Sequence, residues 1–190
     1  SKKMNIPEDV RAQAFSYTSE SAILDLINFE KYTEVISLFK QNKTYFAKHT
    51  SYIKESYLLI QYFCAALAHF NLKQYEYALN FTKKNIDNYN DTVRLDFYMN
   101  NLTLNFLVHI ELENFYIYKH LNEIYKRAIK KHDLQDSEVG IYAIFFQQIV
   151  KKKKLDNQLC RETYKLLEDF NKKNEKGTYN LHLSKWFLKN

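Results

Sequence analysis

The chain has 190 residues, 46% of them hydrophobic and 26% charged, with a formal net charge of +6. That is enough chain for one domain with a core, and too apolar for a disordered tail. It contains 2 glycines and 1 proline, where average usage would give roughly 13 and roughly 10, which excludes many tight hairpins and any glycine-rich phosphate loop.

Helical periodicity is the main signal along the chain, and no stretch sustains two-residue alternation, so no sheet is expected. The segment through Thr18 is polar and reads as poorly ordered at first. Helix pairs are expected near residues 19–44, 51–89, 92–132 and 137–174, with a terminal helix over 180–189. Tyr57, Phe63, Leu67 and Phe70 lie on a long helix beginning near Ser51. Leu95, Met99, Leu102, Phe106 and Ile110 form one continuous face, with Asp91 or Thr92 available as a cap. Ile141, Phe145 and Ile149 mark another helix, capped by Asp136 or Ser137. Cys160, Tyr164, Leu167 and Phe170 mark the next.

A corner recurs between these helices. Tyr32 is followed three places on by Val35, Tyr75 by Ala78, Phe115 by Tyr118 and Leu155 by Gln158, and the anchors lie 43, 40 and 40 residues apart. Each apolar anchor fills the fold-back, and a small residue three places on lets the two helices approach closely. This is an internal repeat of a helix–turn–helix unit. Tyr118 and Gln158 are not small, so the later units must pack differently. Leu181, Leu183, Trp186 and Phe187 are placed to close the last repeat.

Tyr75, Ala78 and Ala66, nine places before Tyr75, resemble the tetratricopeptide-repeat pattern, in which a small residue of the first helix faces a small residue of the second. Lys73 stands where that family has a glycine before the corner tyrosine, and the period is about 40 rather than about 34. The second half, from Ile110 to Asn190, is also similar to helical-repeat segments of uncharacterised bacterial proteins. The resemblance implies an all-α, right-handed superhelix of about eight or nine helices in a single domain over 1–190. It implies no activity.

A search for chemistry finds no nucleophile motif. Cys64 and Cys160 sit within apolar runs and read as buried thiols, with no CxxC spacing for a metal. Of the two acids in "HIELE", only Glu113 shares a helix face with His109. That pair reads as a helix-surface contact rather than a metal site. No catalytic residue, cofactor or metal is expected. No signal-peptide pattern is present, and "YLLIQYFCAALAHF" is too short to cross a bilayer, so a soluble cytoplasmic protein is expected. A chain opening on Ser1 rather than Met is expected to be a processed or trimmed product.

Two groups of residues are candidates for binding. Asn100, Asn101, Thr103 and Asn105 put polar side chains beside an apolar stripe, where amides can clamp an extended peptide. From Lys119 to Lys154 there are nine Lys or Arg against four acids, a local net of +5. Lys126, Arg127 and Lys130, with Lys151, Lys152, Lys153 and Lys154, form a candidate basic patch. The expected function is a non-catalytic scaffold holding a peptide or helix of another protein on a concave repeat surface. The alternatives are a nucleic-acid-binding or sensing domain of a regulator that uses the basic patch, and a self-associating structural module. Oligomeric state is not legible.

Overall fold

The computed structural model describes residues 6–89, 94–174 and 183–189. Asp91, Thr92 and Leu181, invoked above, lie outside them. The described residues contain eight α-helices and no strand: α1 (Glu8–Asn28), α2 (Tyr32–Lys48), α3 (Glu55–Asn71), α4 (Tyr75–Asp87), α5 (Leu95–Glu111), α6 (Tyr118–His132), α7 (Glu138–Lys152) and α8 (Asn157–Lys173). Short 3-10 segments cover Phe115–Ile117 and Leu183–Leu188. The chain is all-α and divides into two compact units, one through Tyr98 and one from Met99.

In the first unit α1 packs on α2 and α3, α2 on α3, and α3 on α4. The helices that open the two pairs therefore touch directly. Surrounded in this way, α3 is buried on nearly every face from Leu59 to Phe70, as a helix apolar all round must be. Ala66 and Ala78, on the packed helices α3 and α4, are both fully buried, as is Val35 on α2.

The N-terminal expectation is corrected. Residues 8–18 belong to α1, whose buried positions are Ala12, Ser16, Ser19, Ile23 and Ile27. Their spacing is helical, but three of the five are small, so the apolar stripe fades over roughly the first three turns. The buried Ser16 hydroxyl is satisfied locally, donating to the Ala12 carbonyl at 2.8 Å.

In the second unit α6 packs on α7, α7 on α8, and α8 on the last 3-10 segment. Phe106 of α5 stacks on Phe146 of α7, with ring centroids 3.9 Å apart and planes 2° apart. The terminal expectation needs correction in kind. The closing element is a 3-10 segment rather than an α-helix, but it seals the end as expected. Leu183, Trp186 and Phe187 are buried, Phe187 lies on Tyr142 and Phe145, and the Trp186 indole N–H donates to Glu111.

The recurring corner has a backbone signature. Glu30, Lys73, Glu113 and Lys153 have φ of 57°, 59°, 52° and 53°. Each stands two residues before one of the four anchors. In the first three corners the same pair of hydrogen bonds closes the helix. Lys31, Gln74 and Asn114 donate to the carbonyls of Leu26, His69 and His109, while Glu30, Lys73 and Glu113 donate to Ile27, Phe70 and Ile110. This is the Schellman stop, normally built on glycine because a Cβ is strained at positive φ.

The fourth corner departs from the other three. Lys153 donates to Ile149 alone, and α8 begins only at Asn157, capped by the Asp156 carboxylate, which accepts from the Gln158 and Leu159 N–H groups. The added residues shift the register. Gln158, three places after its anchor and not small, is exposed, and the fully buried Cys160 faces the packing instead. In the third corner Phe115 sits in the 3-10 turn and is 42% exposed, while Tyr118 is buried against Phe106.

Lys73 and Lys153 are exposed, so their replacement by glycine removes strain without removing packing. Lys73→Gly and Lys153→Gly are each expected to stabilise the fold by about 0.5–1 kcal/mol. Thermal melts should show the gain as a Tm rise of about 2–4 °C per kcal/mol. Glycine at Lys83, within α4, should lower Tm instead.

Candidate functional site

The two groups of sequence candidates fare differently. Asn101, Thr103 and Asn105 are buried, and Asn100 is half-buried. Thr103 Oγ1 donates to the Met99 carbonyl and lies 2.7 Å from the Tyr125 hydroxyl, tying α5 to α6. Asn101 falls 40 residues after Gln61, which is equally buried and accepts a hydrogen bond from Asn42 of α2 at 3.1 Å. These side chains occupy packing positions of the repeat, and a surface clamp built from Asn101, Thr103 and Asn105 is corrected accordingly.

The basic residues are exposed, as a binding patch requires. Their spacing follows from the helix register: Tyr125 meets Phe146 edge to face at 5.2 Å. Those rings lie about equally far from the α6–α7 corner, so the two helices run antiparallel. Lys126, Arg127 and Lys130 lie on the half of α6 nearer that corner, while Lys151–Lys154 lie at the far end of α7, an offset of roughly 9–20 Å along the axis at 1.5 Å per residue. Some of the charge is also engaged locally. Lys126 pairs with Glu123 at 3.5 Å and Lys152 with Asp156 at 2.6 Å, and Lys151 and Lys152 suit the negative end of α7.

The feature that sequence reading missed is a groove in the first unit. Its volume is about 770 Å³, within the range of roughly 300–1,000 Å³ typical of ligand pockets. It runs between α2 and α4. Ile36, Phe39, Leu72, Tyr77 and Phe81 supply apolar surface, and Lys40 and Lys43 stand on the α2 side. Phe39 and Phe81 meet edge to face at 5.1 Å, and Phe81 and Tyr77 both stack on the His69 ring, at 5.6 and 5.2 Å. α1 and α3 pack directly, and Phe39 of α2 meets Phe81 of α4 beside the groove.

His69 anchors the end of this groove. It is 8% exposed, and its Nδ1 donates to Gln74 Oε1 at 2.6 Å. Burial holds its pKa below the usual imidazole value; Gln74 opposes that shift and the Lys40 charge adds to it. His109 is its counterpart one period on, with the Asn114 amide donating to its Nδ1 at 3.1 Å. This overturns the reading of His109 and Glu113 as a surface pair. His109 is buried, α5 stops at Glu111, and Glu113 is the left-handed corner residue.

Both cysteines are free and fully buried. Burial pushes both thiols up, Cys160 to about 11, so neither carries thiolate near neutral pH. Among the described residues no cluster of three or more His, Cys, Asp or Glu is placed to hold a metal, and no helix is long and apolar enough to cross a membrane.

Burial raises the carboxyls of Glu20 and Glu138 above their usual range, while the Lys152 hydrogen bond lowers that of Asp156. Glu138 accepts from the Tyr142 hydroxyl at 3.3 Å, and burial raises its pKa, with that hydrogen bond acting in the opposite direction. A raised native pKa means the fold binds this proton more tightly than the unfolded chain does. The associated stability is fully present below the unfolded value of 4.5 and is lost as pH rises through the native value. Glu138→Gln keeps the acceptor without the charge. It is expected to melt higher than the parent at pH 7, with the gap closing below pH 4.5 in a series of thermal melts.

Compared with protein-family models, with curated proteins and with solved structures, the chain matches none.

Proposed function

We propose that this chain is a non-catalytic protein-interaction scaffold of tetratricopeptide-like helix pairs, acting as a rigid surface that holds a segment of another protein. The observation that carries the reading is the open, preformed groove between α2 and α4. Its walls are helices fixed by the fully buried Val35 and Ala78, so little ordering cost remains to be met on binding. The reading moves the binding surface from the asparagines of α5 to the first unit, on the side of the second helix of each pair. Lys126 and Lys152 are paired with Glu123 and Asp156, which weakens the case for a nucleic-acid track along this face.

The test is affinity capture from native lysate with the whole chain as bait, with and without nuclease, at two salt concentrations. A protein retained at fixed stoichiometry after nuclease and at the higher salt supports the scaffold. Loss of all captured material on nuclease treatment contradicts it and returns Lys126–Lys154 to the centre of the account.

A further inference from the structure

The groove also constrains the chemistry of its occupant. Its lysine lining residues are Lys40 and Lys43, and among the described residues no acid lines it. Glu34 and Glu76, on the same two helices, fall outside the lining. Outside the lining, Lys84 of α4 holds its Nζ 5.6 Å from the Phe81 ring centroid and 5.8 Å from that of Tyr62. The floor beside Lys40 and Lys43 is aromatic and aliphatic. Tyr77 is 63% exposed and Leu72 37%, so the α4 side of the groove is open to solvent.

We propose that this groove binds a short acidic peptide segment, with two or three apolar side chains set between Ile36, Phe81 and Tyr77 and a carboxylate meeting Lys40 or Lys43. The inference rests on the scaffold reading above and deepens it. Charge complementarity selects this occupant. A second copy docking groove to groove would set Lys40 and Lys43 against their own counterparts. A nucleic acid would satisfy the lysines but leave Ile36 and Leu72 facing phosphate and sugar. An acidic segment with apolar residues on one face satisfies both parts, in the helix-in-groove manner.

The probe is a random 12-residue peptide display library selected on the whole immobilised chain, followed by fluorescence anisotropy with the enriched peptides made synthetically. Enriched sequences are expected to combine Asp or Glu with large apolar residues. Affinity should fall at least tenfold in the Lys40→Glu, Lys43→Glu double variant and in Ile36→Asp, with helical circular dichroism unchanged. Lys40→Ala with Lys43→Ala, a change confined to exposed positions, should give a smaller loss and guards against misfolding of the harsher variants.

Failure to enrich any peptide, enrichment of basic or purely apolar ones, or affinity indifferent to these substitutions overturns the proposal. The lysate experiment separates this from the broader reading. A partner captured at parent levels by the Lys40→Glu, Lys43→Glu variant would leave the scaffold standing and remove the groove from it.

Discussion

Phe146→Ala is expected to be the most damaging single truncation, costing about 3–5 kcal/mol. Phe146 is fully buried at the junction of three helices. Its ring stacks on Phe106 of α5 at 3.9 Å, meets Tyr125 of α6 edge to face at 5.2 Å and lies 5.7 Å from Phe145 in its own helix. Removing it takes away aromatic pairs worth about 0.5–1.5 kcal/mol beyond their burial. It also leaves a cavity that three helices held by other contacts cannot close. Against a total stability of about 5–15 kcal/mol, the loss is large. Urea titration should show a lower midpoint. Ile144→Ala, two residues away but 59% exposed, should change stability by less than about 0.5 kcal/mol.

Gly140→Ala sets two rules against each other. Helix propensity alone favours alanine over an interior glycine by about 1 kcal/mol. The packing says the reverse. Gly140 is buried in the first turn of α7, and a Cβ there would lie 2.0 Å from the Gln135 carbonyl oxygen and 2.8 Å from its carbon. Both are backbone atoms of the α6–α7 connection, so no side chain can swing away. The connection is held by the left-handed Asp133 and by the Leu134 N–H donating to Ile129. Relief requires displacing that loop, and the substitution is expected to destabilise by about 1–3 kcal/mol. A thermal melt that rises instead would mean the connection is free to move.

The helices were legible wherever large apolar residues keep helical spacing. Met99, Leu102, Phe106 and Ile110 are buried as their spacing requires. The corner period was legible for the same reason, and its backbone signature at Glu30, Lys73, Glu113 and Lys153 falls on the same period as the anchors. The start of α1 was not legible, because Ser16 and Ser19 occupy buried positions that pattern reading assigns to solvent. The fourth register was hidden by two extra corner residues that no hydrophobic period records.

The binding candidates were chosen by residue type, and type does not reveal direction. Asn101 and Asn105 are as polar as any surface amide, yet the helix turns them into the packing. Lys130 and Lys151 are close in sequence, yet an antiparallel pair separates them. The groove was invisible for the opposite reason. Ile36, Leu72, Tyr77 and Phe81 look like ordinary core or surface residues singly, and only the spacing of α2 and α4 leaves a gap among them.

The central claim is that a left-handed corner residue recurs at four turns of this chain, three of them closed by the same pair of hydrogen bonds. Its most direct test is nuclear magnetic resonance measurement of the backbone φ angles at Glu30, Lys73, Glu113 and Lys153 through their HN–Hα couplings and intraresidue distances. The account predicts positive φ at all four, with helical φ at the residues preceding each corner. Negative φ at two or more of them would contradict the repeat and, with it, the placement of α2 and α4 that forms the groove.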